Sequence, residues 1–390
     1  MNQYRGMTFA AAVLAGAFAF AEPFGAPPDA KHAWSTHDDY RPGVKKITSD
    51  GVKPPSDAIV LFDGTAKSIE ANWCDSKGRP TKWSLDPKGE LISVRGAGYI
   101  FTKRRFGDCQ LHVEWAAPAQ VKGFGQGRGN SGVFLMGEYE IQVLDSYETD
   151  PDKNPNPNPN YSDGQAGAVY GQNPPAVNPC RAPGVFNTYD IVFHAPRFNA
   201  DGSLKKPADL TVFFNGVLVQ DQWKCDGPTL YRRRTSYNKA SRDGKRQLSL
   251  QDHGNPVHYR NIWIREIPYP EDNITHGVNY AQEKAVLELR AKTAERVESE
   301  FNAKFSGAKP GRKLLESWRI AAYFATPERL ARAAAAEKAF LAASENVTKR
   351  DMGGKLGIGH GELFSYYNDL LRLKLIDGSN AVLKRLKEIK

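Results

Sequence analysis

The stretch SGVFLMGEYEIQVLDS, residues 131–146, contains two short apolar runs separated by a turn at Gly137. In the second run, EYEIQV, aromatic and β-branched residues alternate with Glu140 and Gln142. A period of two is typical of a β-strand that has one face in a core and the other face outside it. The stretch therefore predicts two strands, and the second carries a carboxyl group beside an amide on its outer face.

Similar runs continue through residues 58–267, where about ten short strands are separated by Gly, Pro, Asn and Asp. In FFNGVLVQ, Asn215 and Gly216 stand between two apolar runs, which is the sequence signal of a type I′ β-hairpin. Many short strands with turn signals between them indicate an all-β sandwich or barrel.

The N-terminus has a different pattern. Residues 7–21 form an uncharged apolar run that ends in Ala-Phe-Ala, as in a secretory signal peptide. The run is shorter than the roughly 20 apolar residues of a membrane-spanning helix. We expect a signal peptide at 1–21, a leader at 22–57 and an exported protein, periplasmic or extracellular, without a membrane span once the signal is removed. An uncleaved N-terminal anchor is the alternative.

Residues 280–390 change to helical periodicity. Thr326 is placed to cap a helix that has Pro327 at its first position, and Ser379 is placed to cap the last helix. The apolar positions of two helices fall on one face each: Val286, Leu289, Val297 and Phe301, then Leu363, Tyr366, Leu370 and Leu373. This pattern predicts a small helical domain, and its apolar faces suit a core better than a cofactor site.

The basic residues are unevenly distributed. The net charge is +9, and the segment 229–247 carries seven Lys or Arg and one Asp. Nucleic-acid binding would require a basic stripe with interleaved aromatic residues. A basic loop and solvated helical faces explain the charge better, so we expect no nucleic-acid partner.

Four cysteines, Cys74, Cys109, Cys180 and Cys225, lie far apart and form no CxxC motif. This spacing argues against a zinc ribbon and a c-type haem. One or two disulfides in an exported protein, or four small buried thiols, both remain open.

Three predicted strands carry titratable and amide groups on their outer faces: Glu140 and Gln142; Asp190 and His194; Ser249, Gln251 and His253. A solvated outer face is the default for a sandwich. Amides and histidines among aromatic residues, however, are typical of a groove that binds sugar hydroxyls and stacks on sugar rings.

Glu140, Gln142 and Asp145 have the spacing of the Glu-x-Asp-x-x-Glu strand of retaining glucanases on concanavalin A-like sandwiches. In that motif a bulge returns the third carboxyl group to the face of the first two. The retaining mechanism requires two carboxyl groups about 5 to 5.5 Å apart. Because Gln142 replaces the middle acid and Asp145 is shorter than Glu, ordinary glycosidic hydrolysis by this motif is not expected.

Five ordered blocks, NSGVFLMGEYEIQVLDSY, DGQAGAVYGQNPP, NTYDIVFHAPRF, NGVLVQD and LSLQDHGNPVHYRNIWIREI, resemble the 3-keto-disaccharide hydrolase domain family over residues 58–267. The resemblance implies a concanavalin A-like jelly-roll sandwich in an exported bacterial protein. It also implies action on glycosides oxidised at C3, in which a base removes the C2 proton and the C1 substituent leaves.

The same resemblance supplies the site residues. Glu140, His253 and Asp145 are the catalytic candidates, with Glu140 or His253 as the base. For substrate binding, the resemblance implies Gln142, Gln165, Tyr170 and Gln251. Asn130 and His194 are further binding candidates from the sequence, and His194 with Asp190 is a second candidate pair, for which a purely structural histidine is the alternative. A sugar 3-oxidoreductase is implied as functional partner, and a divalent metal held by a carboxylate and a histidine is possible. A non-catalytic carbohydrate-binding module and a glucanase-like hydrolase are the alternatives.

Overall fold

The computed structural model describes residues 46–51, 53–148, 152–153, 156–267, 283–305, 307–372 and 374–389. The predicted signal peptide lies outside these residues. The described residues fall into two compact units, 46–267 and 283–389. Within these residues, the strands occupy the first unit and six of the seven α-helices occupy the second.

The strand unit contains two large antiparallel sheets. The eight-stranded sheet comprises β1 (Ile59–Phe62), β3 (Ser84–Leu85), β4 (Leu91–Ile92), β6 (Cys109–Ala116), β9 (Asn187–His194), β12 (Asp209–Phe214), β13 (Val217–Lys224) and β15 (His258–Glu266). The five-stranded sheet comprises β2 (Trp73–Cys74), β5 (Ile100–Phe106), β7 (Ser131–Leu135), β8 (Tyr139–Val143) and β14 (Arg246–Leu250). Helix α1 (Ala66–Asn72) follows β1, and β10 (Arg197–Phe198) pairs with β11 (Leu204–Lys206).

Strand order follows β13-β12-β9-β6-β15-β4-β3 in the eight-stranded sheet, with β1 paired to β15, and β2-β5-β14-β7-β8 in the five-stranded sheet. Buried and half-buried residues alternate along β6 and β9, as a sheet with one face in the core requires. The inward side chains form one hydrophobic core with Trp115, Tyr139 and Tyr189 among its largest members. The predicted jelly-roll β-sandwich is confirmed.

Asn215 and Gly216 connect β12 to β13, where Phe214 pairs with Val217. Both have positive φ angles, 51° and 80°, as a type I′ turn requires, so the predicted hairpin is confirmed. All four cysteines are free and buried. The structure therefore selects the buried-thiol alternative over disulfides.

The second unit contains α2 (Glu283–Phe305), α3 (Pro310–Tyr323), α4 (Pro327–Ala343), α5 (Met352–Leu356), α6 (His360–Arg372) and α7 (Ala381–Glu388). Thr326 caps α4 by accepting a hydrogen bond from the backbone N–H of Arg329, and Pro327 is the first helical residue, as predicted. The prediction for α7 is wrong by one residue, because Asn380 rather than Ser379 accepts from the N–H of Leu383. Ser379 instead donates its hydroxyl proton to Asp377.

The predicted helical faces are buried or half-buried where the structure describes them. On α2, Val297 is buried and Phe301 is half-buried, while Leu363, Tyr366 and Leu370 belong to the core of the helical unit. The side chains of Val286, Leu289 and Leu373 lie outside the described residues. No helix in the described part of the chain has the length and apolar character needed to cross a membrane.

One hydrogen bond links the core of the sandwich to the backbone of β8. The hydroxyl of Tyr189 on β9, which is fully buried, donates to the carbonyl oxygen of Gln142 at 2.6 Å. Tyr189 thus connects the two sheets at the residue that carries the predicted amide of the outer face.

We predict that Tyr189→Phe lowers the free energy of unfolding by about 1 kcal/mol, because it removes one buried hydrogen bond without a large change in volume. Chemical denaturation followed by tryptophan fluorescence measures this loss. Tyr147→Phe is the control, since Tyr147 is 47% exposed, and we expect it to change stability by less than about 0.5 kcal/mol. Equal effects of the two substitutions would show that the Tyr189 hydrogen bond does not stabilise the sandwich.

Candidate functional site

The residues of interest form two rows across the outer face of the five-stranded sheet. Glu140 on β8 pairs with Phe134 on β7, and Phe134 pairs with Ser249 on β14. In the next row, Gln142 pairs with Gly132, whose carbonyl oxygen accepts from the backbone N–H of Gln251 at 3.0 Å. Antiparallel pairing therefore brings Glu140, Gln142 and Gln251 to one face of the sheet.

This face is covered rather than solvated. Glu140 is 4% exposed and Gln142 is 1% exposed. Beyond β8, the segment 165–173 adds backbone hydrogen bonds to the strand: the N–H of Gln142 donates to Ala168, and the N–H of Tyr170 donates to Glu140 at 3.1 Å. On the same strand, the hydroxyl oxygen of Thr229 accepts from the N–H of Glu140 at 3.1 Å. Long loops thus enclose the outer face that a simple sandwich would expose.

Gly132 provides the room for the Glu140 carboxyl group. A Cβ atom at Gly132 would lie 2.4 Å from Oε1 of Glu140 and 2.9 Å from the ring of Phe134. Such distances are far below van der Waals contact. Glycine is required here for space, since the carboxyl group of Glu140 lies directly over the backbone of β7.

The Glu140 carboxyl group has the electrostatics of a proton-transfer group. Burial raises its pKa from 4.5 to about 8. Within the described part of the chain, no side chain or backbone group donates a hydrogen bond to it, and no cation is paired with it. The group therefore holds its proton at neutral pH, and once deprotonated it is a much stronger base than an exposed carboxylate.

Gln126 orients two of the amides around Glu140. Its Oε1 accepts from Nδ2 of Asn130 at 2.9 Å and from Nε2 of Gln142 at 2.8 Å. Its own Nε2 donates to the carbonyl oxygen of Gly164 at 2.9 Å. Because both amide nitrogens face Gln126, the side-chain oxygens of Asn130 and Gln142 must face elsewhere.

Two further amides have the same orientation, with the side-chain nitrogen donating to a group of the protein. Nε2 of Gln251 donates to the hydroxyl of Tyr99 at 2.7 Å, and Nε2 of Gln165 donates to the carbonyl oxygen of Asn160 at 3.2 Å. In each case the donor is used and the acceptor is left over. Among the described residues, the buried side-chain amide oxygens that lack a donor are those of Asn130, Gln142, Gln165 and Gln251.

A buried acceptor without a donor carries a desolvation penalty of about 1 to 3 kcal/mol. Four such acceptors on the wall of one sheet and its covering loops are explained by a ligand that supplies several donors. Sugar hydroxyls are donors of this kind. The orientation of these amides, with the nitrogen bound inside the protein and the oxygen left without a donor, is therefore suited to a polyhydroxylated ring.

Two tyrosines complete the wall. The Tyr99 hydroxyl accepts from Gln251, so its own proton is available to a ligand, and its ring packs against Phe134 at 5.6 Å between centroids. The hydroxyls of Tyr170 and Tyr161 share a hydrogen bond of 2.6 Å. Burial, and to a smaller extent the nearby Glu140 carboxylate, raise the pKa of both Tyr99 and Tyr170, so both remain protonated donors.

Asp145 has a different environment from Glu140. β8 ends at Val143, so Asp145 lies beyond the strand and is not brought back by a bulge within it. Its Oδ2 accepts from Nε of Arg128 at 2.6 Å, and both side chains are buried. This ion pair borders a separate cleft of about 420 Å³, also lined by Gly129 and Asn255. The third acid of the glucanase-like spacing is thus held by a guanidinium group.

Among the described residues, neither histidine side chain is hydrogen-bonded to the amide cluster. β14 ends at Leu250, so the alternation of side chains stops before His253, which is exposed in the following loop. His194 lies on the eight-stranded sheet, with Nδ1 2.7 Å from Asp209. The predicted pairing of His194 with Asp190 is wrong, because residues four apart on a strand are about 13 Å apart. Asp190 pairs instead with His112 on β6, at 2.7 Å.

A possible metal-binding group lies elsewhere. Within the described residues, the carboxyl groups of Asp86 and Glu90 and the imidazole of His258 offer ligand atoms within 4.8 Å of one another. Nδ1 of His258 is 2.7 Å from Glu90. These residues belong to β15 of the eight-stranded sheet and to the β3–β4 turn, whereas Glu140 belongs to the other sheet. The structure thus provides no metal ligand set around Glu140 in the described residues.

Comparison with known proteins identifies the family. The model of the 3-keto-α-glucoside-1,2-lyase-like domain matches residues 57–265, which is more than half of the chain. The chain belongs to this family. A proposed glycosyl hydrolase from Parabacteroides distasonis, known as a crystal structure, is 39% identical, with a TM-score of 0.52, and the match covers 60% of this chain and 97% of that one. A second such protein from the same organism is 16% identical, with a TM-score of 0.38, and covers 54% of this chain and 94% of its own. No curated protein matches the chain.

The resemblance to the 3-keto-disaccharide hydrolase family inferred from the sequence blocks is therefore confirmed. Membership of the lyase-like family places the chain among proteins that act on the glycosidic bonds of sugars. The antiparallel sandwich is the fold expected for this family, and the amide-lined face of its five-stranded sheet contains the polar groups that such a substrate requires.

Three residues of the site in this lyase-like domain were not predicted from the sequence: Tyr99, Gln126 and Gly132. Tyr99 directly precedes β5, and the alternation that assigns Glu140 to the outer face would also assign Tyr99 there. Gly132 opposes Gln142 in the register, so a glycine there is a signal of close approach. Gln126 lies in a 3₁₀ turn, Gly125–Gly127, for which strand periodicity gives no signal.

The raised pKa of Glu140 predicts a pH-dependent loss of stability. The folded state keeps its proton up to about pH 8 whereas the unfolded state releases it near pH 4.5, so wild-type stability falls as the pH rises between these values. Glu140→Gln has no such proton. We expect the variant to gain stability relative to wild type from pH 5 to pH 9, by on the order of 4 kcal/mol.

Urea denaturation of both proteins at pH 5, 7 and 9 measures this difference. All other titrating groups are shared and cancel in the comparison. A stability difference that stays constant with pH would show that the Glu140 carboxyl group is not protonated in the folded protein at neutral pH.

Proposed function

We propose that this chain cleaves glycosides whose sugar ring carries a ketone at C3, and that it does so by elimination and hydration. The observation that supports this proposal is the buried Glu140 carboxyl group, which has a pKa of about 8 and no ion-pair partner in the described residues. Such a group is suited to take a proton from carbon at neutral to mildly alkaline pH. Membership of the lyase-like family supports the same chemistry.

The reaction proceeds as follows. The C3 ketone acidifies the C2–H bond, and the Glu140 carboxylate takes this proton while the electron pair forms an enolate. The enolate collapses to a C1–C2 double bond, the C1–O bond breaks, and the leaving oxygen keeps its electron pair and gains a proton. Water then adds to C1 and a proton returns to C2. The sum is hydrolysis of the glycosidic bond.

Each neighbour of Glu140 has a part in this proposal. The side-chain oxygens of Asn130, Gln142 and Gln251, which lack a donor in the protein, accept hydrogen bonds from ring hydroxyls. These bonds orient C2 of the sugar towards Glu140. The Tyr99 hydroxyl, whose own proton is free, donates to the ketone oxygen as negative charge develops there. Asp145 and Arg128 support the loop that carries Gly129 and Asn130, and do not exchange protons with the substrate.

The structure gives less support to glucanase-like hydrolysis. A retaining mechanism needs a nucleophilic carboxylate and a separate acid close together. On β8 the position of the second acid is Gln142, and the carboxylate of Asp145 is bound to Arg128 at 2.6 Å. Elimination needs one base and one electrophilic donor, which is what the site contains.

The proposal has consequences for the biological setting. A C3 ketone on a glycoside arises by oxidation of a hydroxyl group, so a sugar 3-oxidoreductase must supply the substrate. The N-terminal pattern of residues 1–21 is that of a signal peptide. We therefore propose that the enzyme is exported and acts in the periplasm or outside the cell.

Substrate discrimination tests the reaction class. We expect 4-nitrophenyl 3-keto-glucoside to release 4-nitrophenol while the unoxidised glucoside does not, because only the ketone acidifies C2. Deuterium at C2 should slow release and should be lost to solvent. Release from the unoxidised glucoside at a similar rate would support a glucanase-like hydrolase. Binding of both glucosides without release would support a carbohydrate-binding module.

The identity of the base has its own test. With Glu140 as base, kcat/KM on the 3-keto-glucoside rises about tenfold per pH unit below pH 8 and levels off above it. Glu140→Gln should lower kcat about 10² to 10⁴-fold. His253→Ala is the matched comparison, because His253 is the other candidate and is exposed. If His253→Ala removes activity and Glu140→Gln does not, His253 is the base.

A further inference from the structure

A loop rich in arginine is rooted beside Glu140. We call residues 226–237 the arginine loop. The backbone N–H of Thr229 donates to the carbonyl oxygen of Glu138 at 2.7 Å, and the Thr229 hydroxyl accepts from the N–H of Glu140. The other end is fixed by Tyr237, whose hydroxyl donates to the carbonyl oxygen of Cys225 at 2.7 Å. The exposed tip is therefore held in place by two anchors.

The arginine loop and the segment 170–172, which covers the site, line one small surface pocket. The segment contributes Tyr170, Gly171 and Gln172 to the lining. The arginine loop contributes Asp226, Pro228, Leu230, Arg233, Arg234 and Thr235. The backbone N–H of Tyr170 donates to the carbonyl oxygen of Glu140. A group bound in this pocket would therefore lie next to the segment that covers the proposed catalytic base.

The positive charge of the pocket is only partly compensated. Arg234 faces Asp226 at 3.9 Å, and both side chains are exposed. Arg232 stacks on Tyr231, with its guanidinium carbon 5.0 Å from the ring centroid. Among the described residues, no carboxylate pairs with Arg233. Glu140 adds no negative charge at neutral pH, since its pKa is about 8.

The neighbouring basic residues are already engaged. Arg242 lies over the ring of Phe198, Lys245 pairs with Glu266 at 2.7 Å, and Arg246 pairs with Glu138. Apart from the exposed Lys239, the available positive charge of the segment 229–247 is thus concentrated at residues 232–234, which line or adjoin the pocket. The positive charge is therefore clustered at the tip of the arginine loop, whereas an evenly solvated basic loop would spread its charge along the segment.

The amides and the arginine loop lie towards opposite ends of β8. Gln142, with Gln126 and Asn130 beyond it, lies towards the C-terminal end of the strand. The arginine loop is attached at Glu138 and Glu140, towards the N-terminal end. If the amides hold the sugar ring, the leaving group at C1 extends past Glu140 towards the arginines.

We propose that the arginine loop selects glycosides whose leaving group carries a negative charge, such as a carboxylate. Guanidinium groups bind carboxylates through charge-assisted, often bidentate hydrogen bonds. The proposal rests on the proposed function for the position of the sugar ring. It adds the chemical class of the leaving group, for which Arg233 and Arg234 determine specificity.

The test compares two 3-keto-glucosides that differ only in charge. One carries 4-hydroxyphenylacetate as leaving group and the other 4-hydroxyphenylacetamide, and the methylene group keeps their leaving abilities similar. We expect kcat/KM of the full chain to be about tenfold higher for the charged substrate. Raising the salt concentration from 0.05 to 0.5 M should reduce this ratio, since the arginines are exposed.

Arg233→Gln with Arg234→Gln should bring the charged-to-neutral ratio close to one. Lys239→Gln is the matched control. Lys239 is an exposed basic residue near the arginine loop, but it does not line the pocket. It should leave the ratio as in wild type. A wild-type ratio of one, or a ratio that survives the double substitution, would overturn the proposal.

Calorimetric binding of the two unoxidised glucosides separates this inference from the reaction. If neither keto substrate is cleaved, the proposed function fails, but the ratio of dissociation constants still decides the role of the loop. Tighter binding of the charged glucoside that is lost in the double variant supports the loop assignment. Equal dissociation constants in wild type would contradict it.

Discussion

Burial of the Glu140 carboxyl group over the backbone of Gly132 is the constraint from which the rest of the site can be understood. A charged carboxylate in this position would lack both water and a compensating cation. The group is therefore neutral at pH 7, with a pKa of about 8. The sandwich tolerates this because its core on the opposite face of the sheet is large and continuous, and because β8 is held by hydrogen bonds on both edges and by the hydroxyl of Tyr189.

The covering loops convert an ordinary sheet face into a site. Segment 165–173 and Thr229 satisfy the outer edge of β8, while Gln126 orients the amides of Asn130 and Gln142. A sandwich supplies the rigid sheet, and the loops supply the enclosure that raises the pKa of Glu140. This division is common in proteins that bind ligands on a stable scaffold. The amide nitrogens are used in hydrogen bonds inside the protein, whereas the amide oxygens have no donor among the described residues.

The two acids of the glucanase-like spacing differ because of what surrounds them. Glu140 is in contact with glycine and aromatic residues, whereas Asp145 is bound by the guanidinium group of Arg128. A pair of carboxyl groups of opposite function would need to face one another across a substrate. Here one is buried without an ion-pair partner in the described residues, and the other is held in an ion pair. The same spacing in sequence therefore does not carry the same chemistry.

The sequence by itself determined the sandwich, the register of Glu140 and Gln142 on one face, the hairpin at Asn215 and Gly216, and the family, because periodicity and turn chemistry are local. It put Gln251 on the outer face of its own strand, and the pairing of β14 with β7 and of β7 with β8 brings it to the face of Glu140. Only the tertiary structure decided that this face is buried, that Asp145 pairs with Arg128, and that His194 pairs with Asp209 across the sheet rather than with Asp190 along it. Those facts depend on contacts between residues far apart in the chain. Strand alternation ends with the strand, so it could not place His253, and it carries no information about the loops that bring Gln126 and Thr229 to Glu140 and its neighbours.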